Sequence, residues 1–154
     1  MKVRKMLLAV AALFAAVMVC LAADVNMGTW RLNDAKSKIS PGAGKNSTVV
    51  IAAAGDSVKV TVDGIGADGK PSHNEWTGKF DGKDYPLTGD PASDMRAYKA
   101  VDDHTQALTE KKGGKTITTG RIVVSADGKN RTVTASRTDA DGKRISFTYI
   151  YDKQ

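Results

Sequence analysis

The chain has 154 residues, a net charge of +6 and a single cysteine, and it is long enough for one domain with its own core. Its basic residues are dispersed among acidic ones rather than gathered in one segment, which argues against a nucleic-acid partner. With one cysteine the chain forms no internal disulfide, so the core alone must stabilise the fold.

The N-terminal residues have the pattern of a secretory signal peptide. A basic segment, MKVRK, precedes the apolar run MLLAVAALFAAVMV, and small residues then allow cleavage after Ala22 or Ala23. The run is short for a membrane span, and Val19 disfavours lipidation of Cys20 because a small residue is preferred before the cysteine. We predict a signal peptide at 1–22 and a domain at 23–154 that is exported to the periplasm or secreted. The mature protein would carry a charge of about +3, have no membrane span and be a monomer.

From residue 27 onward, short alternating runs rich in Val, Thr, Ile and aromatic residues are separated by Gly and Asp, as in β-strands joined by tight turns. Only 33–38 and 90–95 could form a turn or two of helix. The predicted strands are 27–32, 47–53, 57–65, 72–80, 83–88, 95–101, 105–111, 115–125, 130–138 and 144–152.

The connections between these strands are too short for parallel crossovers, which need about a dozen residues, so successive strands must pair antiparallel. A long meander tends to close on itself because closure removes the exposed edges. We therefore predict an all-β fold, a single up-and-down antiparallel β-barrel of about eight to ten strands. The alternative is a β-sandwich, which would need longer crossing connections.

A short Asp-Gly cassette recurs along the chain. ADGK occupies 67–70, 126–129 and 140–143, and FDGK occupies 80–83. The third copy resembles the start of a calcium loop, but Lys143 and Arg144 lie where further ligands would be needed and would repel a cation. Asp-Gly between alternating runs is a strong hairpin signal. We predict turns at these positions rather than calcium sites.

No catalytic or metal-binding motif is evident in the sequence. His73 and Glu75 share a strand face and could supply at most half of a metal site, and His104 lies in a polar turn. The chain has no Gly-x-Ser-x-Gly elbow, and GIGADG at 64–69 lacks the helix that a phosphate-binding loop requires. We predict that the protein is not an enzyme and has no metal or other cofactor.

The segment GTWRL at 28–32 resembles the N-terminal signature of the calycins, the superfamily of lipocalins and intracellular fatty-acid-binding proteins. The resemblance implies that Gly28 and Trp30 close one end of the barrel, with the tryptophan packed inside. The segments 110–130 and 147–153 resemble the closing strands of fatty-acid-binding proteins. Together with the export signal, this favours a lipocalin-like protein of bacterial type.

In fatty-acid-binding proteins, inward arginines and a tyrosine on the late strands bind the ligand carboxylate. By that resemblance Arg121 and Tyr151 are candidate ligand-binding residues. Tyr149 is a third candidate, but it stands where the family has an arginine, so the anion clamp is incomplete. Arg121 fits a solvent-facing position almost as well. The family's helical lid is replaced by 33–46, which Pro41 interrupts.

The sequence thus predicts an exported barrel that holds a small apolar or amphipathic molecule in its interior, with an anionic lipid-like molecule among the candidates. The alternative is a protein-binding or inhibitor-like module that uses its outer surface and has no internal ligand. The two hypotheses differ in the interior, which would contain a cavity in the first and be filled by large side chains in the second.

Overall fold

A computed structural model describes residues 24–154, and the regular elements in that range are all β-strands. They are β1 (Gly28–Leu32), β2 (Lys38–Ile39), β3 (Lys45–Ala54), β4 (Ser57–Ile65), β5 (Pro71–Gly78), β6 (Tyr85–Thr88), β7 (Met95–Asp102), β8 (Thr105–Lys112), β9 (Lys115–Val124), β10 (Asn130–Thr138) and β11 (Arg144–Lys153). The predicted signal peptide, with Cys20, lies outside the described residues. From Asp24 to the C-terminus, no helix is long and apolar enough to cross a membrane.

The strands form one closed antiparallel barrel. From β3 to β11 each strand pairs with the next along the chain, and β1 pairs with both β3 and β11 to complete the circle. Trp30 on β1 lies opposite Val49 on β3 and Lys153 on β11. The prediction of an up-and-down barrel is therefore confirmed, with ten strands in the circle and the short β2 paired only to β11 among the described elements.

All ten predicted strands are present, with ends that differ by a few residues. The element that the sequence did not reveal is β2, and the helical turns expected at 33–38 and 90–95 are non-helical turns and loops. The hydroxyl of Ser37 accepts the backbone N–H of Ile150 at 2.9 Å and donates to the carbonyl of Asn33 at 2.8 Å. These contacts hold the segment against β11, and this tertiary pairing replaces the local helical preference.

The barrel is filled at one end by large aromatic side chains. Trp76 stacks on Phe80 with ring centroids 6.2 Å apart and meets the edges of Tyr85 and Tyr98 at 5.7 and 4.8 Å. Trp30, which is fully buried, belongs to the same core. Trp76 lies two residues before the end of β5, near the hairpin to β6. Trp30 lies opposite Lys153, whose backbone N–H donates to the carbonyl of Lys129 in the turn between β9 and β10 at the same end of the barrel. The opposite end contains the loops after β2, β4 and β6.

The Asp-Gly cassettes lie at hairpin turns, as predicted. Their glycines have φ values of 70–81°, a left-handed conformation in which a side chain is strained. In three of the turns the aspartate Oδ1 accepts the backbone N–H two residues later at 3.0 Å: Asp68 with Lys70, Asp81 with Lys83, and Asp127 with Lys129. These carboxylates therefore stabilise the turns directly.

Replacing Gly128 with alanine is expected to destabilise the protein by about 1 kcal/mol, measured by urea denaturation. The φ of Gly128 is 70°, and an added Cβ would have no neighbour within 4 Å, so conformational strain is the only cost. Gly128→Asn is the matched control, and it should retain most of the stability because asparagine tolerates this conformation. Equal stability of Gly128→Ala and the wild type would contradict this account of the turn.

Candidate functional site

The interior contains a cavity of about 630 Å³ that reaches the barrel end opposite the tryptophans. Its mouth is bordered by Gly44 and by the loops at 66–68 and 89–92. One part of its wall is apolar, with Val49, Val62, Leu108, Ile122 and Val133. The remaining part carries arginine, tyrosine, glutamate, asparagine and threonine side chains. The volume lies within the range of small-molecule binding sites in proteins.

A buried ion pair forms the centre of the polar wall. The Nε and Nη2 atoms of Arg96 lie 2.8 and 2.7 Å from Oε1 of Glu110, and Nη1 donates to Oδ1 of Asn74 at 3.2 Å. Burial raises the pKa of Glu110, but the charge of Arg96 and the hydrogen bonds to the carboxylate together outweigh burial, and the pKa lies below its usual value. The two residues lie opposite each other on β7 and β8, so the strand register holds the pair in place.

A second buried guanidinium, that of Arg131 on β10, has no such partner. Arg131 is only 3% exposed, and its Nε has no hydrogen-bond acceptor within residues 24–154. It lies 5.9 Å from the ring centroid of Tyr151, and it forms no ion pair in the described part of the chain. Burial lowers its pKa. Because Arg131 lines the cavity, the buried wall contains two guanidinium groups and one carboxylate. Nearer the mouth, Arg137 adds a third guanidinium, and Asp68 and Asp90 add two carboxylates in the loops.

Tyr149 and Tyr151 both line the cavity, on the inner face of β11. The hydroxyl of Tyr149 donates to the carbonyl of Gly44, in the loop at the mouth, and its ring lies 4.8 Å from that of Phe147. Burial raises the pKa of Tyr149 to about 12 and raises that of Tyr151 as well. Both phenols are therefore neutral at physiological pH and can donate hydrogen bonds.

Arg121 lies on the opposite side of the sheet from the two tyrosines. On β9 the residues Thr118, Ile122 and Val124 are buried, whereas Arg121 is exposed on the outer face. The structure therefore brings Tyr149 and Tyr151 together but separates them from Arg121. Sequence reasoning missed Arg131. A signal was present, since Arg131 alternates in phase with the apolar residues Val133 and Ala135 on β10, which places all three on the inner face.

The two residues that the calycin resemblance assigns to barrel closure lie at the filled end. The indole N–H of Trp30 donates to the carbonyl of Asn26 at 2.7 Å, and the Nζ of Lys153 lies 5.0 Å from its ring centroid. Gly28 has a φ of 118°, and an added Cβ would lie 3.0 Å from the Cε of Lys153. Neither residue borders the cavity.

His73 and Glu75 alternate with the buried Asn74 and Trp76 on β5 and so lie on its outer face, and His73 also borders the mouth of the cavity. The Nδ1 of His73 lies 2.6 Å from a carboxylate oxygen of Asp63, and Lys59 lies 2.8 Å from Glu75. The hydrogen bond to Asp63 raises the pKa of His73. His104 lies in the turn between β7 and β8, with its Nδ1 3.1 Å from the carbonyl of Val124. In residues 24–154, no three His, Cys, Asp or Glu side chains are arranged to hold a metal ion.

Comparison with known proteins does not assign the chain to a family. No protein-family model matches the sequence, and no curated protein is significantly similar to it. The function is therefore inferred from the geometry and charge of the cavity.

Proposed function

We propose that this protein is an exported, calycin-like binding protein that holds a small amphipathic anion inside its barrel. The observation that carries the proposal is the unpaired guanidinium of Arg131, which is buried beside a cavity of about 630 Å³. The GTWRL segment and the N-terminal signal pattern support the kinship and the export. No chemical step is proposed.

The charge of Arg131 explains why the ligand would be an anion. A buried charge without a partner costs several kcal/mol. Glu110 does not serve as the partner of Arg131, because its Oε1 already accepts from two nitrogen atoms of Arg96. A carboxylate or similar group on the ligand would accept a charge-assisted hydrogen bond from the guanidinium of Arg131, which lines the cavity. The neutral phenol of Tyr151, beside Arg131, offers a further donor to the same group.

The apolar wall explains why the remainder of the ligand would be hydrophobic. Val49, Val62 and Leu108 face the cavity, together with Ile122 and Val133. Burial of an apolar group against them stabilises the complex by about 25 cal/mol for each Å² removed from water. The alternative of an outer-surface module without a ligand requires a filled interior, and a cavity of this size does not favour it.

Two ligands with the same tail test the proposal. Dodecanoate and dodecan-1-ol should both displace an environment-sensitive fluorescent probe, with dodecanoate binding about tenfold more tightly or better because only it carries the charge. Arg131→Met should abolish the difference between them. Arg121→Met is the matched control, since it removes an arginine from the outer face, and it should bind both ligands as the wild type does.

The stability of the variants separates loss of a contact from loss of the fold. Arg131→Met removes a buried charge that has no partner, so its free energy of unfolding should equal or exceed that of the wild type. Absence of saturable binding of either ligand to the wild-type protein would disprove the proposal. Undiminished preference of Arg131→Met for dodecanoate would disprove the role of Arg131.

A further inference from the structure

A second groove lies on the outer face of the barrel, across β9, β10, β11 and the short β2. Its volume is about 800 Å³, and it shares only Phe147 with the described lining of the interior cavity. Hydroxyl-bearing side chains form its floor, and three basic side chains, Lys38, Arg121 and Arg144, stand around them. None of its described lining residues is acidic. The groove therefore combines positive charge with a dense set of hydroxyl groups.

Strand register sets the distance between two of the cations. Arg121 lies opposite Thr134, Thr134 lies opposite Thr148, and Thr148 lies opposite Lys38. A single row across four strands thus carries a cation at each end. At the usual strand spacing the two backbone positions are about 14 Å apart, so no single small anion can contact both.

The rows beside this one extend the same surface along the strands. The next row consists of Thr119, Ser136 and Ser146. Arg144 lies opposite Thr138 in the row after that, four residues along β11 from Thr148. The three cations therefore form a triangle around a floor of serines and threonines, each of which can donate and accept hydrogen bonds.

The short strand β2 builds one wall of this groove. It continues the seam that closes the barrel, since β1 pairs with residues 151–153 of β11 and β2 pairs with Phe147 and Thr148. Ser37 accepts the backbone N–H of Ile150, which fixes the segment against β11 and brings Lys38 and Ser40 to the edge of the groove. The segment thus contributes a cation and a hydroxyl group to this surface.

Within residues 24–154, Lys38, Arg121 and Arg144 form no ion pair, whereas Lys59 and Lys79, also on the outer surface, pair with acidic residues at 2.8 and 3.2 Å. Asp102, the last residue of β7, is outside the groove lining, and its Oδ1 accepts the backbone N–H of His104 at 2.9 Å. That hydrogen bond and, to a smaller extent, the charge of Arg121 lower the pKa of Asp102, so Arg121 has one acidic residue nearby. Since none of the three cations is held in an ion pair within the described residues, each can bind an anionic partner.

We propose that this groove binds a linear acidic polysaccharide, a function separate from the interior site. A chain with a carboxylate or sulfate on successive sugars can reach all three cations at once, and its hydroxyl groups can bond to the serine and threonine floor. Recognition of single-stranded nucleic acid uses exposed aromatic side chains on which bases stack. The aromatic residue in the described lining, Phe147, instead packs against Tyr149, so the groove favours the glycan.

Binding of polygalacturonate, measured by calorimetry at low ionic strength, tests this inference. The wild-type protein should bind it, neutral dextran should not bind, and binding should weaken as salt approaches about 0.1 M because the contacts are exposed to solvent. Arg121→Met combined with Arg144→Met should weaken binding about tenfold or more. Lys59→Met combined with Lys79→Met lowers the net charge equally on the other side of the barrel and should change binding little.

Three results would overturn the inference. The first is a loss of polygalacturonate affinity in the Lys59/Lys79 double variant as large as that in the Arg121/Arg144 double variant, and the second is binding of neutral dextran as tight as that of polygalacturonate. The third is equal or tighter binding of an oligothymidine of the same charge, which would indicate a nucleic-acid surface. The interior site is tested independently. Arg131→Met should bind polygalacturonate normally, and the Arg121/Arg144 double variant should bind dodecanoate normally, so failure of one proposal leaves the other measurable.

Discussion

Replacing Glu110 with leucine is expected to destabilise the barrel by about 3–5 kcal/mol. The substitution leaves the guanidinium of Arg96, which is 5% exposed, buried without its carboxylate. The second variant, Arg96→Met combined with Glu110→Leu, removes both charges and should recover most of the loss, since replacing a buried pair with apolar groups is often neutral. Urea denaturation measures all three free energies of unfolding.

The ion pair of Lys59 and Glu75 on the outer face is the control for this comparison of the wild type with the single and double variants. Both side chains are substantially exposed, with 44% and 40% of their side-chain surface accessible, so Glu75→Leu should cost no more than about 1 kcal/mol. A Glu110→Leu variant as stable as the Glu75→Leu variant would show that water reaches the Arg96–Glu110 pair through the cavity. A double variant no more stable than Glu110→Leu alone would contradict the pairing as the source of the loss.

The same carboxylate makes the effect depend on pH. The pKa of Glu110 is lower in the folded protein than its ordinary value of about 4.3. Its contribution to stability is therefore fully present above the ordinary pKa and is lost as the pH falls through the lower, folded value. The difference in unfolding free energy between the wild type and Glu110→Leu should shrink over that acidic window. A difference that stays constant to low pH would mean that the carboxylate charge is not the cause.

The strands and turns could be predicted because their signals are local. In β4 three valines alternate with polar residues, and the Asp-Gly turns require positive φ at glycine. Antiparallel closure then follows from short connections. The short β2 could not be predicted, because two residues carry no periodic pattern and the segment depends on contacts with β11, more than a hundred positions away along the chain.

Whether an individual polar residue lies on the inner or the outer face of its strand was harder to predict than the strand itself. On β9, apolar residues occur on both faces, since Val123 is exposed while Ile122 and Val124 are buried, so alternation does not show which way Arg121 points. On β10 the alternation is clear, and it places Arg131 inside. The resemblance to fatty-acid-binding proteins directed attention to Arg121 on β9, whereas the buried arginines of this barrel are on β7 and β10.

The burial of the Arg96–Glu110 pair could not be predicted from the sequence, although the pairing itself could. The hairpin between β7 and β8 puts the two residues opposite each other, so their proximity follows from the turn position. Their burial does not, because charged residues are rarely buried and an exposed pair is the usual expectation. The pair is buried because it lies on the face of the sheet that the closed barrel encloses.

Replacing Trp30 with alanine is expected to cost about 3–5 kcal/mol of stability, as is typical of large aromatic residues in cores. Trp30 is fully buried, and its loss also removes the hydrogen bond to Asn26 and the cation–π contact with Lys153. Trp30→Phe keeps much of the ring volume and should cost less, about 1–3 kcal/mol, from the carbonyl left without a donor. Val101→Ala, at a side chain that is 55% exposed, should change stability by less than about 0.5 kcal/mol.

Ligand binding by the folded Trp30→Phe protein distinguishes closure of the barrel from contact with the ligand. Trp30 lies at the filled end and does not border the cavity, whereas Arg131 does. Trp30→Phe should therefore bind dodecanoate with nearly the affinity of the wild type, although it unfolds at lower urea. Loss of binding in a Trp30→Phe protein that remains folded would place the ligand against Trp30 and contradict the separation of the barrel into a filled end and a binding end.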